Sequence, residues 1–250
     1  MSRDIIIDEK VSIWKPSLLK GSVLSKEEQA FKDILCKLNK ISPENFERLS
    51  GEILEIELLS DLGDDSPRQK TTDFDPEDIE KMEKVVELFI NATCNIRNTG
   101  QGGSEMQEIL AKLFIKLKDK WDGRQGRILA TVMTKYIANY FSKYFDNSLT
   151  FIEKIKCENI MYFTGLLYEK GMFDTRFCMV ALMKFKIKDE SNIRVFCNLL
   201  NACYKKLKNE KLFTTNKEKF VSFLNECVSD RSIPGLVRNM CMDSLEAMNL

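Results

Sequence analysis

Residues Cys36–Leu54 read CKLNKISPENFERLSGEIL, and the spacing within and around them decides the kind of protein this is. On the N-terminal side, Ala30, Phe31, Ile34, Leu35 and Leu38 recur at intervals of three and four, which puts them on one stripe of an α-helix. Ser25 and Glu28 precede that stripe in the order of a capping box, where hydroxyl and carboxylate satisfy each other's backbone amides. On the C-terminal side Ser42 occupies an N-cap position with Pro43 at the first helical position, where a missing N–H costs nothing. Phe46, Leu49, Ile53 and Ile56 continue the apolar face of a second helix. The stretch is a helical hairpin with a tightly specified junction.

The helical period extends outward from this hairpin. Asp75 and Pro76 restart a helix carrying Ile79, Met82, Val85, Val86, Phe89 and Ile90. Ser104 and Gln107 fit a cap for another bearing Ile109, Leu110, Leu113, Phe114 and Leu117. Ile128 to Phe145 repeats the pattern with Val132, Met133, Tyr136, Ile137, Tyr140 and Phe141, and a short helix around Phe151 and Ile155 follows Asn147. Beyond Cys157, helices centre on Phe163 and Leu167, on Val180 and Met183, on Phe196, Leu200 and Cys203, on Phe223 and Leu224, and on Met240 and Leu245. Gly171 reads as a C-cap, and Ser232 with Pro234 opens the last helix. Almost no run alternates as a half-buried strand would. The expectation is an all-α fold, an α-solenoid of about five antiparallel HEAT-like helix pairs forming a crescent. Between the hairpin and the next helix, SDLGDDSPRQKTTDFDPED (60–78) reads as an exposed acidic loop. GQGG at Gly100–Gly103 reads as a flexible joint.

Composition narrows the chemistry. Lys and Arg number 38, and so do Asp and Glu, so no overall positive field draws nucleic acid and any such affinity rests on a local patch. Histidine is absent, which removes the commonest general base, the usual partner of a Ser or Cys nucleophile and the commonest zinc ligand. Eight cysteines never reach CxxC spacing; most lie among apolar residues and read as buried free thiols, so neither a metal site nor a cofactor is expected. No segment has membrane-spanning length. A soluble, cytoplasmic protein in a reducing setting is expected. A carboxylate enzyme built on Glu77, Asp78 and Glu80 is the competing class, but these residues sit in a charged stretch with no converging base.

Four segments carry a resemblance. LNKISPENFERLSGEIL, through Leu38, Asn39, Lys40, Ile41, Ser42, Pro43 and Phe46, is similar to the first helical hairpin of the middle domain of eukaryotic translation initiation factor 4 gamma. IWKPS at Ile13–Ser17 resembles the tryptophan segment preceding that domain in the family. YFTGLLYEKGMF at Tyr162–Phe173 is similar to the family's Phe-x-Gly-x-Leu-aromatic helix, through Phe163, Gly165, Leu167, Tyr168, Met172 and Phe173. VRNMCMDSLEAM resembles the terminal helix, through Val237, Arg238, Met240, Asp243 and Leu245. The matches stand in the family's order and span Trp14 to Leu245, while Leu59–Asn159 matches by helical pattern alone. Two departures stand out: Asn239 follows the basic residue where the family usually has an aromatic, and 23 residues precede the first capped helix, so the family's long upstream arms are not expected. A Tyr-x-x-x-x-Leu-aromatic string at Tyr162–Tyr168 is loosely like a cap-binding-protein ligand, but it lies inside a core-patterned helix and reads as packing.

The resemblance implies a tail (1–23) with a tryptophan docking segment and a HEAT-repeat middle domain (24–250). It further implies a translation-initiation scaffold, itself no enzyme, that grips both RecA-like lobes of the DEAD-box initiation helicase, favours its closed state, stimulates its ATPase and helps bring mRNA to the small ribosomal subunit. Helicase contacts are then expected at Trp14, Lys15, Pro16, Asn39, Lys40, Ile41, Phe46, Arg238 and Asp243, with Trp14 the foremost anchor. Ile41 is as well explained by packing as by binding, and Phe46 fits its helix's core face. Weak mRNA binding would use Lys112, Lys116, Lys118, Lys120, Arg124 and Arg127 through phosphate contacts. Other initiation factors are further expected partners. The alternative is a related middle-domain scaffold of splicing, nuclear cap binding or nonsense-mediated decay, in which WKPS ahead of the first hairpin is not expected.

Overall fold

Helix ends show most directly why these residues fold as they do. In the computed structural model, which describes residues 25–56, 76–96, 101–121, 124–145 and 150–249, Ser25 and Glu28 form the expected box: the Glu28 N–H donates to Ser25 Oγ (3.1 Å) and the Ser25 N–H to Glu28 Oε2 (2.8 Å). They open α1 (Lys26–Leu38). Thr150 and Glu153 repeat the device at the start of α6 (Phe151–Glu169). Asp174 and Asp189 cap α7 (Thr175–Phe185) and α8 (Glu190–Leu207) by accepting amides at 2.7 and 3.1 Å. Gly171 ends α6 at φ 84°, with its N–H on the Tyr168 carbonyl and the Met172 N–H on that of Leu167. That bond pair is a Schellman motif, whose left-handed position glycine adopts without strain.

The remaining helices are α2 (Phe46–Leu54), α3 (Pro76–Cys94), α4 (Gln101–Lys120), α5 (Arg124–Phe145), α9 (Lys211–Thr214), α10 (Lys217–Ser229) and α11 (Gly235–Asn249). Among the described residues there is no strand. Three expectations are corrected. The short helix at Phe151 and the helix around Phe163 are one continuous α6, because Cys157, Ile160 and Met161 between them are buried and keep the apolar face unbroken. α4 starts at Gln101, so Gly102 and Gly103 lie in its first turn, not in a joint, and Ser104 is no cap. Gln107 is instead buried at 1 % exposure. The stretch before α11 is turned by Asp230, whose Oδ1 accepts both the N–H and the hydroxyl of Ser232. Trp14, Lys15, Pro16 and residues 60–75 of the acidic stretch lie outside the described residues.

Each helix buries its apolar stripe against its neighbours in order. α1 packs on α2, α3 on α4, α5 on α6, α7 on α8 and α10 on α11; α2, α4, α6, α8 and α11 also touch in succession, as do α1, α3 and α5. These are the relations of an α-solenoid. Aromatic rings join them: Phe89 meets Phe114 edge-on at 5.1 Å between α3 and α4, Tyr144 and Phe145 meet Phe185 between α5 and α7, and Phe196 meets Phe223 between α8 and α10. Such pairs add about 0.5–1.5 kcal/mol beyond area burial. The largest interface is α6 on α8. There a Cβ added at Gly165 would come within 2.6 Å of the Ala202 Cβ and 3.0 Å of the Leu199 carbonyl oxygen, so the glycine permits a backbone approach that any side chain would block.

Two predictions follow from this core. Gly165→Ala must push α6 from α8 and is expected to cost about 1–3 kcal/mol, seen as a fall of several degrees in the thermal midpoint. Glu158 on α6 has its carboxyl raised to about 7 by burial, with Arg194 lowering it and Glu190 raising it. The folded protein therefore holds a proton that the unfolded chain releases near 4.5, and stability declines as pH rises from about 4.5 to about 7. Glu158→Gln is expected to flatten that decline and to gain on the order of 1–2 kcal/mol at pH 8, measured by denaturant unfolding at pH 5 and pH 8.

Candidate functional site

The junction between α1 and α2 is closed by one side chain. Asn45 receives the Ser42 N–H on Oδ1 (2.7 Å) and donates its Nδ2 to the Lys40 carbonyl (2.9 Å), so a single amide ties both strands of the turn. Asn39 ends α1 with its N–H on the Leu35 carbonyl, and Lys40 donates to Lys37. Pro43–Asn45 form a turn of 3-10 helix and α2 begins at Phe46. The second helix thus starts three residues later than Pro43 at its first position would place it. The Ser42 hydroxyl bonds Glu44 and holds that carboxyl below its ordinary value. Asn39, Lys40, Pro43 and Glu44 face solvent on a turn closed by the two Asn45 bonds.

Two of the expected contact residues do not face outward. Ile41 is 3 % exposed and Phe46 is 9 % exposed, both inside the core with Leu38, Leu49 and Ile53. Ile41 is apolar because it plugs the turn, and neither side chain is free to meet a partner in this fold. Phe46 is covered by Lys116 of α4, whose Nζ lies 4.7 Å from the ring centroid and 2.8 Å from Glu47 Oε2. Lys116 thereby fastens α4 to the start of α2. Neither Asn45 nor Lys116 as a brace was singled out from sequence; the Ser-x-x-Asn spacing at 42–45, the amide analogue of a capping box, is the signal that marks Asn45.

At the far end, α11 carries Arg238 and Asp243. Asp243 is exposed. Arg238 is half-buried, and its Nε is shut from solvent with no acceptor among the described residues. The turn at 39–44 and α11 therefore belong to the first and last helix pairs of the array.

The six basic residues do not share one surface. At about 100° per residue, Lys112, Lys116 and Lys120 spread over about 80° of α4, whereas Lys118 points at least about 120° away and pairs with Asp119 at 2.6 Å. Lys116 is held by Glu47, Arg127 is exposed on α5, and the side chain of Arg124 lies outside the described residues. Of the carboxylates weighed as an enzyme site, Glu80 pairs with Lys84 at 3.2 Å, and the side chains of Glu77 and Asp78 are outside the described residues. Among the described residues no group of His, Cys, Asp and Glu is gathered as metal ligands, and no helix is long and apolar enough to cross a membrane. All eight cysteines are free, and six of them are buried.

No family model matches the chain, and no curated protein matches it.

The turn separates packing from surface chemistry in a measurable way. Ile41→Asp is expected to cost about 3 kcal/mol or more through a buried unpaired charge, while Lys40→Glu leaves the unfolding free energy within about 0.5 kcal/mol of wild type. Denaturant titration of the two variants beside wild type checks both.

Proposed function

We propose that this chain is a translation-initiation scaffold of the initiation factor 4 gamma middle-domain kind, acting on a DEAD-box RNA helicase. The observation that carries the reading is the order of four motif matches from Trp14 to Leu245 on a chain whose regular structure among the described residues is all helical. The exposed part of the first hairpin match, Asn39 and Lys40, sits on a braced turn, and the exposed part of the last match, Asp243, sits on α11. Surfaces in the first and last helix pairs of one array of successively packed helices suit a partner with two mobile lobes. Holding both lobes together lowers the entropy lost when they close on ATP and RNA, so the scaffold raises turnover by shifting an equilibrium and carries out no chemistry. Helicase contacts are assigned to Trp14, Lys15, Pro16, Asn39, Lys40, Arg238 and Asp243; Ile41 and Phe46 act behind them by holding the turn. Weak, salt-sensitive mRNA contact falls to Lys112, Lys120 and Arg127, the members of the basic set that are exposed without a described ion pair. Other initiation factors, and a cytoplasmic setting, belong to the same reading.

The test is binding of the purified chain to the initiation DEAD-box helicase of the same organism, with RNA-dependent ATPase read in parallel. Wild type is expected to bind and stimulate. Trp14→Ala is expected to lose about 2 kcal/mol of binding, roughly thirtyfold, as truncation of an aromatic anchor does, and Lys40→Glu to weaken binding with an unchanged fold. Absence of binding and stimulation at low salt overturns the assignment.

A further inference from the structure

α7 buries one face and leaves the other uncovered. Cys178, Ala181, Leu182 and Phe185 are in the core, with Met179 beside them at 4 % exposure. On the opposite face Val180 is 51 % and Met183 40 % exposed, and Ile187 just beyond the helix is 47 % exposed. At about 100° per residue, Arg176, Val180 and Met183 fall within about 60° of one another. Two large aliphatic side chains on an outer helix face, with a third just past its end, exceed the scattered exposure normal for a surface. α9 packs against α7 and adds Leu212, 44 % exposed.

Basic residues predominate around this stripe. From Thr175 to Lys188 the chain has Arg176, Lys184, Lys186 and Lys188 and no acid. Lys188 is taken by Glu226 at 2.8 Å, and no ion pair to a described residue engages Arg176, Lys184 or Lys186. Beside α9, Lys208 and Lys211 are exposed, with the half-buried Glu210 between them in sequence. Of the nearby acids, Asp174 and Asp189 cap α7 and α8, Glu190 pairs with Arg194 at 3.0 Å and Glu226 is taken by Lys188, while Glu210 at the start of α9 makes no side-chain cap bond.

We infer that the outer face of α7, extended by α9, is a docking surface for an acidic amphipathic helix of a partner protein. An occupant with apolar residues at i, i+3 or i+4, and i+7 would lie along Val180, Met183 and Ile187, and its flanking carboxylates would meet Arg176, Lys184 and Lys186. The apolar residues are aliphatic, so they supply no ring on which nucleic-acid bases stack. An interfacial membrane helix sinks aromatic residues and leucines into the acyl boundary, whereas α7 is 11 residues long and held by its other face to α8. This inference rests on α7 and α9 and is independent of the helicase reading.

A fluorescently labelled synthetic 18-residue peptide, with leucines on one helical face and glutamates on the other, tests it by anisotropy. The acidic peptide is expected to bind in a salt-dependent way and to lose about tenfold in affinity with Val180→Asp or Met183→Asp, and several-fold with Lys184→Glu. A peptide of the same composition with its leucines scattered is expected to bind at least about tenfold more weakly. Unchanged circular dichroism shows that the variants are folded; a second set, Val180→Gln and Met183→Gln, serves if the aspartates disturb it. Equal affinity for the scattered peptide, no binding, or binding indifferent to the α7 substitutions overturns the inference. So does loss of phosphatidylserine-vesicle or single-stranded oligonucleotide binding in these variants when the peptide does not bind, or a wild-type dimer in sedimentation velocity that Val180→Asp dissociates.

Discussion

The close approach of α6 to α8 is the constraint on which the rest of the array depends. α6 touches α3, α4, α5, α7 and α8, so its position fixes the two halves of the described chain relative to each other. Gly165 against Ala202 and Leu199 sets how near the two backbones come. Around that contact Phe163, Leu167 and Tyr168 are fully buried, and Asn159 donates to the Ile96 carbonyl at 3.0 Å, tying α6 to the end of α3. Lys206 of α8 donates to the Tyr168 carbonyl at 3.0 Å and lies 4.6 Å from the Tyr168 ring centroid. A cation there neutralises the negative end of α6 while resting on an aromatic face.

This arrangement sorts the segments that resemble the initiation-factor family. In Tyr162–Phe173 the matching side chains Phe163, Leu167, Tyr168 and Phe173 are buried, and Gly165 is explained by packing alone. The Tyr162–Tyr168 string is a core segment, as its periodicity indicates. Likeness in such a motif speaks to architecture. Asn39, Lys40 and Asp243 are exposed and carry no comparable packing role; under the proposed function these are the positions at which likeness would bear on a partner. Ile41 and Phe46 belong to the first group although they stand next to members of the second.

Local signals made much of the fold legible. The Ser25 box, the Gly171 cap and the three-and-four spacing of buried residues in α1, α2, α5 and α8 were all readable because each depends on neighbours within one or two turns. The sequence was less informative where distant residues decide. The start of α4 at Gln101 goes against the reluctance of Gly102 and Gly103 to be helical. The unbroken α6 depends on packing against five other helices. Which side of the α1–α2 turn Ile41 would take is a tertiary question, and so is the splitting of the basic residues of α4 between solvent, Glu47 and Asp119.

The distribution of the thiols has a practical consequence. Burial pushes Cys94, Cys157 and Cys227 up to about 12, so little thiolate exists at these positions at neutral pH and electrophiles find them slow. Cys36 stands exposed on α1, three residues before Asn39. Maleimide chemistry under native conditions therefore selects a single position beside the braced turn. A dye attached there would be a built-in reporter of whatever settles on that end of the array, without any engineered cysteine.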